Sequence, residues 1–221
     1  MSDEEILNTL KQQIEITDSK TEIKCGNLLL QISWILLTKS HNLTYVPTEQ
    51  RLSGGRLDFA VIAESEQPGG YQLREAYIWE LKAPQYNLFE VKTGNHAVPS
   101  KELYSAETQL FHYCYCLSKD YRLLKIWNLS PENIKFGGVI IGRDNNFVDL
   151  KGKEEILGKG LAIEANNVRN IYLYNPLSIK LWTWDQVIKI AESQLYSHKK
   201  YDGDPRKAID PRVSEPYEMI P

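Results

Sequence analysis

Two short β-rich runs joined by a Pro-Gly-Gly turn limit the ways in which this chain can fold. The runs are RLDFAVIA (56–63) and AYIWELKA (76–83), and the turn occupies residues 68–70. Runs of this composition, bounded by glycine and proline, are typical of neighbouring antiparallel strands. In a hairpin centred on this turn, paired residue numbers sum to about 138. This register places Asp58 directly opposite Glu80.

The remaining segments alternate between helical and strand-like patterns, so we expect an α/β fold with a mixed central sheet of about four to six strands. Apolar spacing predicts helices from Ile6 to Ile14, from a capping Thr21 to about Ser40, over 100–118 and over 184–195. Further strands are predicted in LTYVPTEQ, FGGVIIG, NIYLY and SIKLWTW. The polar stretch from Pro84 to Pro99 is interpreted as an irregular lid or substrate loop.

Length and composition favour one domain. We expect a single domain over residues 1–197, with the second helix and the 100–118 helix flanking the sheet, and a polar, proline-containing tail over 198–221. No run of about 18 apolar residues is present, which excludes a membrane-spanning helix. The acidic N-terminus lacks the pattern of a signal peptide, and the three cysteines suggest core thiols, so we expect a cytoplasmic protein. The net charge of −3 gives no general affinity for nucleic acid.

The predicted hairpin brings together residues with a specific chemistry. Residues two apart on a strand share a face, so Glu80 and Lys82 should point the same way and meet Asp58. Two neighbouring carboxylates repel unless a positive charge lies between them, and a divalent metal ion and Lys82 could both supply it. Mg²⁺ prefers oxygen ligands, here Asp58, Glu80 and the backbone carbonyl of Leu81. Such a centre suits phosphodiester hydrolysis, with Lys82 stabilising developing charge.

The local pattern alone has a second explanation. Glu-x-Lys occurs three times, beginning at Glu22, Glu80 and Glu90, and solvated residues on the wet face of a sheet would explain it equally well. The second copy differs because it ends an apolar strand, follows a strand that carries an acid, and is closed by Ala83-Pro84. No histidine pair has the spacing of metal ligands, so we propose no histidine site.

RLDF followed by WELKAP resembles the Asp and Glu-x-Lys strands of the PD-(D/E)XK nuclease superfamily. Together with SAETQLFHY, GGVIIGR and IKLWTWDQVIKIAESQL, these segments resemble the nuclease domain of the Shedu anti-phage defence proteins. This resemblance extends roughly from Thr21 to Leu195. It implies a restriction-endonuclease-like core and a Mg²⁺-dependent DNA endonuclease that acts against phage or other foreign DNA. Mn²⁺ is expected to substitute, DNA is the expected partner, and a homo-oligomer is compatible with the resemblance.

The resemblance also implies roles for individual residues. Asp58 and Glu80 would bind the metal ion, Lys82 would assist, and Gln109 on the next helix would join the site. Gln109 and Tyr113 share a helix face, which supports this role, although a surface glutamine is the alternative. One departure from the family is that no large N-terminal regulatory region precedes the domain in this sequence, so the way activity is restrained stays open.

Two acidic residues compete for a further metal-binding role. Glu22 is preferred to Glu49 because it begins the second predicted helix, where the superfamily often places an acid, although a glutamate there also suits the helix dipole. Phosphate contacts are predicted for Lys92 and Lys101, with a solvated surface as the alternative. Further basic candidates lie in the tail at Lys199, Lys200, Arg206 and Lys207.

Two other functions fit the same sequence. The chain could be a catalytically inactive nuclease-fold module that binds nucleic acid, or an interaction protein that uses its sheet edge and tail. The choice between DNA and RNA, and between nicking and double-strand cleavage, stays open from the sequence.

Overall fold

The computed structural model describes residues 1–37, 42–45, 48–52, 55–93 and 95–200, with the backbone alone described at 42, 44, 45, 48–51, 55, 56 and 196–200. Its helices are α1 (Asp3–Gln13), α2 (Thr21–Gln31), α3 (Lys101–Lys119), α4 (Tyr121–Trp127), α5 (Glu155–Arg169), α6 (Asn175–Leu177) and α7 (Trp184–Lys200). Its strands are β1 (Asn42–Tyr45), β2 (Thr48–Leu52), β3 (Gly55–Glu66), β4 (Gln72–Leu81), β5 (Phe89–Lys92), β6 (His96–Pro99), β7 (Ile134–Ile140), β8 (Val148–Asp149) and β9 (Lys180–Trp182).

The main sheet is mixed and six-stranded within these residues, which confirms the expected α/β architecture. Its strand order is β1-β3-β4-β7-β9, and β2 also pairs with β3. β3 and β4 are antiparallel, whereas β4, β7 and β9 run parallel. The β3–β4 pairs, from Phe59–Trp79 to Glu66–Gln72, each sum to 138, so the predicted register is correct.

Helices cover both faces of this sheet. Ile62 and Ile78 belong to one core cluster with residues of α3, while Val61 and Trp79 belong to a second cluster with residues of α1, α2 and α7. Alternate residues of each central strand therefore pack into opposite layers, as strand geometry requires. The two helices expected to flank the sheet, α2 and α3, do so from opposite sides.

The second helix ends earlier than predicted. α2 stops at Gln31 and a short 3₁₀ turn follows at Ser33–Leu36, while residues 38–40 lie outside the described residues. The apolar run is continuous through this point, so it carried no signal of the change. Thr21 is the first helical residue rather than the cap. Its hydroxyl instead donates to the Ile16 carbonyl and accepts from the Asp18 N–H.

Two strand and loop predictions were wrong. NIYLY is a π-helical continuation of α5 at Asn170–Tyr174, in which Tyr174 is buried and Tyr172 is exposed. Its apolar and aromatic composition resembles that of a strand, which explains the error. The expected irregular stretch from Pro84 contains the β5–β6 hairpin, whose buried Phe89 and Val91 pack in a separate three-stranded sheet, β6-β5-β8.

Cys25, Cys114 and Cys116 are free and buried, in agreement with core thiols. The closing helix α7 continues to Lys200, past the expected boundary at 197. The tail from 201 to 221, with Arg206 and Lys207, and the side chains of Lys199 and Lys200 lie outside the described residues. Within the part of the chain that the structure describes, none of the helices combines the length and apolar character that a membrane crossing needs.

Candidate active site

Glu80 and Lys82 lie at the end of β4, where the strand leaves the sheet. The Glu80 side chain is 1% exposed, and the Lys82 ammonium donates to its Oε1 at 2.6 Å. The backbone of Lys82 is held on both sides: its N–H donates to the Ile140 carbonyl, and its own carbonyl accepts from the Trp184 indole at 2.8 Å. This end of the strand is therefore anchored by β7 and by the first residue of α7.

Asp58 continues the β3–β4 register by one residue beyond the Phe59–Trp79 pair, which places it opposite Glu80. Asp58 is half-buried, and its charge acts directly on Glu80. Burial, and then the neighbouring Asp58, raise the pKa of Glu80 to about 8, while Lys82 opposes the shift. Burial lowers the pKa of Lys82, but Glu80, Glu22 and Asp58 together more than offset this, so its pKa lies above the ordinary value. The pair of acids thus favours positive charge between them.

Glu22 reaches the same place from the first turn of α2. Its carboxylate accepts a hydrogen bond from the N–H of Ala83 and interacts electrostatically with Lys82 and Asp58. Burial raises the pKa of Glu22, Lys82 lowers it and Asp58 raises it again. Of the two acids that the sequence left in competition, Glu22 is therefore next to the cluster. The Glu49 side chain lies outside the described residues.

Helix α3 closes the cluster from above the sheet. Tyr113 is 7% exposed, and its side chain is hydrogen-bonded to Gln109, one turn earlier. Burial, and then the charges of Glu80 and Asp58, raise the pKa of Tyr113 to about 12. Gln109 and Tyr113 thus share a face that looks onto the two carboxylates.

Two buried oxygen atoms in this region have no hydrogen-bond partner among the described residues. They are Oε2 of Glu80 and Oε1 of Gln109. A buried acceptor without a donor is costly, so both atoms favour a bound cation or water.

These orphaned oxygens fit a hard divalent cation bound by few protein ligands. Among the described residues, no group of three or more His, Cys, Asp or Glu side chains is placed so that it could hold a metal ion by itself. A cation such as Mg²⁺ can be held by one or two carboxylates, with backbone carbonyls and waters completing its coordination. Asp58 and Glu80 could supply the carboxylates, and Leu81, the last residue of β4, lies between Glu80 and Lys82 in the sequence and could supply a backbone carbonyl.

Lys92 and Lys101, the two lysines predicted to contact phosphates, lie on different elements. Lys92 lies on β5 in the smaller sheet, where its ammonium is 2.5 Å from Glu90. Lys101 is the exposed first residue of α3, the helix that carries Gln109. Sequence reasoning missed Trp184, which anchors the Lys82 carbonyl across 102 positions of sequence. No local pattern could have indicated this contact.

The fold and the cluster define an α/β protein with a mixed sheet and a buried carboxylate–lysine centre at one strand end. A family model described as Shedu protein SduA, C-terminal, matches residues 19–188. Since the match covers more than half of the 221 residues, the chain belongs to this family. Membership is consistent with a role in anti-phage defence. A comparison with curated proteins found no match.

Proposed function

We propose that the chain is a metal-dependent DNA endonuclease of the PD-(D/E)XK type that acts in defence against phage or other foreign DNA. The observation that carries this proposal is the buried Glu80 carboxylate, set between Asp58 and Lys82 with one oxygen that has no partner among the described residues. Burial of a carboxylate beside a second one is unfavourable for the fold alone. A function that requires this charge explains why the arrangement exists. Membership of the Shedu family supports a nuclease role.

The residues present would hold Mg²⁺, or Mn²⁺ in its place, through Asp58, Glu80 and the Leu81 carbonyl. Glu22 interacts electrostatically with Lys82 and Asp58 and would contribute a further oxygen through a bound water. A bound metal ion would polarise a phosphoryl oxygen and lower the pKa of a bound water.

The chain's other residues have separate roles in this proposal. Lys82 is held at the cluster by Glu80 and would stabilise negative charge that develops on the phosphate. Gln109 presents its unpaired Oε1, an acceptor that can orient the attacking water. Tyr113 hydrogen-bonds the Gln109 side chain and so positions it.

Incubation of the full chain with plasmid DNA tests the proposal. We expect nicking or linearisation with Mg²⁺ or Mn²⁺ and none with EDTA. Asp58→Asn, Glu80→Gln and Lys82→Ala should each lower the cleavage rate by about 100-fold or more. Glu90→Gln is a matched control, because Glu90 and Lys92 form the same kind of ion pair outside the cluster. Cleavage that survives Asp58→Asn and Glu80→Gln would refute this assignment of the site.

One observation favours an inactive module instead. Lys82 already neutralises Glu80 at 2.6 Å, which is how a purely structural ion pair would look. A module of this kind would bind DNA without cleaving it under any metal condition. The plasmid assay, paired with a binding measurement on the same sample, separates the two functions.

A further inference from the structure

Helix α5 and the π-helical turn that follows it carry apolar side chains on the outside of the molecule. Gly158 and Ala162 are the buried residues of α5, and the helix contacts all three strands of the smaller sheet. On its other side, six large apolar residues are between 43% and 81% exposed and form what we call the α5 outer face. They are Ile156, Leu157, Ile163, Val168, Ile171 and Tyr172. A helix that is apolar on both sides is normally buried on both sides, so this face is expected to be covered.

The residues of the outer face form one continuous surface. Ile156 and Ile163 are seven residues apart, and Leu157 and Val168 are eleven apart, which corresponds to about two and three helical turns. The two rows lie side by side because Ile156 and Leu157 are consecutive. Together the six residues expose on the order of 700 Å² of accessible surface, close to the roughly 800 Å² that each partner contributes to an interface of standard size. The outer face is therefore large enough for a stable protein–protein contact.

The charges on α5 indicate which kind of partner fits. Glu155 and Lys159 neutralise each other as an i,i+4 pair, and Arg169 is paired with the buried Glu107. Glu164 is the remaining charged residue of the helix. Nucleic acid would need a cluster of cations here, and a strongly charged protein would need an opposite cluster, and α5 provides neither. A nearly neutral apolar face suits an identical copy, because two copies then bring little like charge together.

A groove of about 320 Å³ lies beside the outer face, between α5 and β6. Apolar residues form most of its lining, and Val168 belongs both to the groove and to the outer face. Tyr172 follows Val168 by four residues and is 78% exposed. An isologous contact requires a surface that is complementary to itself. A protruding aromatic ring beside an apolar groove meets this requirement, because each copy offers the ring and the groove to the other.

We propose that a second copy of this chain covers the α5 outer face in a dimer with two-fold symmetry. Tyr172 of each copy enters the groove between α5 and β6 of the other copy, and the two outer faces pack together around the symmetry axis. The residues proposed to act in DNA cleavage lie on other elements. The dimer is therefore independent of the proposed cleavage and does not rest on it.

Sedimentation equilibrium of the full chain from about 1 to 100 µM tests the proposal. We expect a mass of about 51 kDa, twice the 25.5 kDa of one chain, with a dimer Kd below about 10 µM. Ile163→Glu should raise the Kd by about 100-fold or more, because it places two unpaired charges in an apolar contact. Tyr172→Ala should raise the Kd by about tenfold or more, because it removes the aromatic ring from the groove.

Ile126→Glu is the matched control, because Ile126 is a 42% exposed isoleucine on α4, outside the outer face. It should dimerise like the unmodified chain. Far-UV circular dichroism checks that each variant keeps its helices, and Tyr172→Ala carries the test if Ile163→Glu does not. The proposal is overturned if the unmodified chain has the mass of one copy at every concentration. It is also overturned if the folded variants of the outer face dimerise like the control, or if the control weakens the dimer as much as they do.

Discussion

At the scale of single residues, Glu80 is where burial and charge oppose each other. Its carboxylate is 1% exposed and lies beside Asp58, and Lys82 is the nearest compensating charge that the structure records for it. Burial and Asp58 raise its pKa from the ordinary value of 4.5 to about 8. A carboxyl group whose pKa is raised by folding takes up a proton as the chain folds. Its contribution to stability is therefore lost as the pH rises through this window.

We predict that the metal-free protein loses stability between about pH 5 and pH 8, and that Glu80→Gln removes most of this loss. The amide keeps the size of the side chain but cannot ionise, so its stability should not depend on pH in this window. Denaturant unfolding in EDTA at several pH values measures the effect. Glu90→Gln, on the exposed Glu-x-Lys pair, should retain the pH dependence of the unmodified chain. Equal slopes for all three proteins would show that Glu80 is not the group responsible.

The residues of the cluster could be predicted to different degrees. Asp58, Glu80 and Lys82 follow from the register of one hairpin, which the Pro-Gly-Gly turn and strand alternation define locally. The positions of Glu22 and Gln109 depend on how α2 and α3 pack on the sheet. The family resemblance indicated both, and the helix face that Gln109 shares with Tyr113 gave it local support. The contact from Trp184 to the Lys82 carbonyl depends on the packing of the β9–α7 connection against the end of β4, which no local signal encodes.

At the scale of elements, the junction of β4, β7 and β9 requires glycine at 138. A Cβ on Gly138 would lie 2.1 Å from the carbonyl oxygen of Lys180 on β9, and backbone cannot move away as a flexible side chain can. We predict that Gly138→Ala lowers the free energy of unfolding by several kcal/mol, on the order of the worst overpacking substitutions.

Gly160→Ala is the matched control for this prediction. Gly160 is in α5 with open space around it, so alanine should stabilise that helix by about 0.5–1 kcal/mol. Urea denaturation of both variants measures the difference. If Gly138→Ala unfolds at the same urea concentration as the unmodified chain, the result contradicts the close approach of β7 and β9 at Gly138.

A buried ion pair fixes α3 against α5. Glu107, 4% exposed, accepts hydrogen bonds from the Arg169 guanidinium and from the Tyr174 hydroxyl of the π-helical turn. We predict that Glu107→Ala lowers the free energy of unfolding by about 3–5 kcal/mol, because it leaves the Arg169 charge without its buried partner. Thr108→Ala, at the exposed neighbouring position, should change it by less than about 0.5 kcal/mol. If Glu107→Ala lowers the free energy of unfolding by less than about 1 kcal/mol, the ion pair does not hold α3 against α5.

Helices and strands could be predicted from the sequence where the apolar spacing fitted only one of the two. α3 follows a stripe of Leu103, Ala106, Leu110, Tyr113 and Leu117, all of which are buried. NIYLY was misread because the four apolar and aromatic residues after Asn170 suit a strand as well as a helix, and the contact of Tyr174 with Glu107 on α3 has no local signal. The β5–β6 hairpin was missed because each strand has four residues, too few for alternation to stand out in a polar segment.

At the scale of the whole molecule, the net negative charge limits how the protein can bind DNA. The chain carries a net charge of −3, so phosphate contacts must come from a local group of cations rather than from the overall field. Lys101 and Lys92 were both predicted to supply such contacts. The structure makes them unequal, because Lys92 is paired with Glu90 on the smaller sheet, whereas Lys101 begins the helix that presents Gln109 to the cluster.

We therefore predict that Lys101→Ala weakens DNA binding and makes its salt dependence shallower, while Lys92→Ala has a smaller effect. Each lost phosphate contact should reduce the slope of log K against log salt concentration by about 0.9 for duplex DNA. Binding is measured at several salt concentrations in an Asp58→Asn background, so that cleavage does not interfere. Lys125→Ala, at an exposed position on α4, should leave the slope unchanged. If Lys101→Ala also leaves it unchanged, the phosphates are held elsewhere. The basic residues beyond 198 would then be replaced next. If they contact the phosphates, their substitution should make the salt dependence of DNA binding shallower.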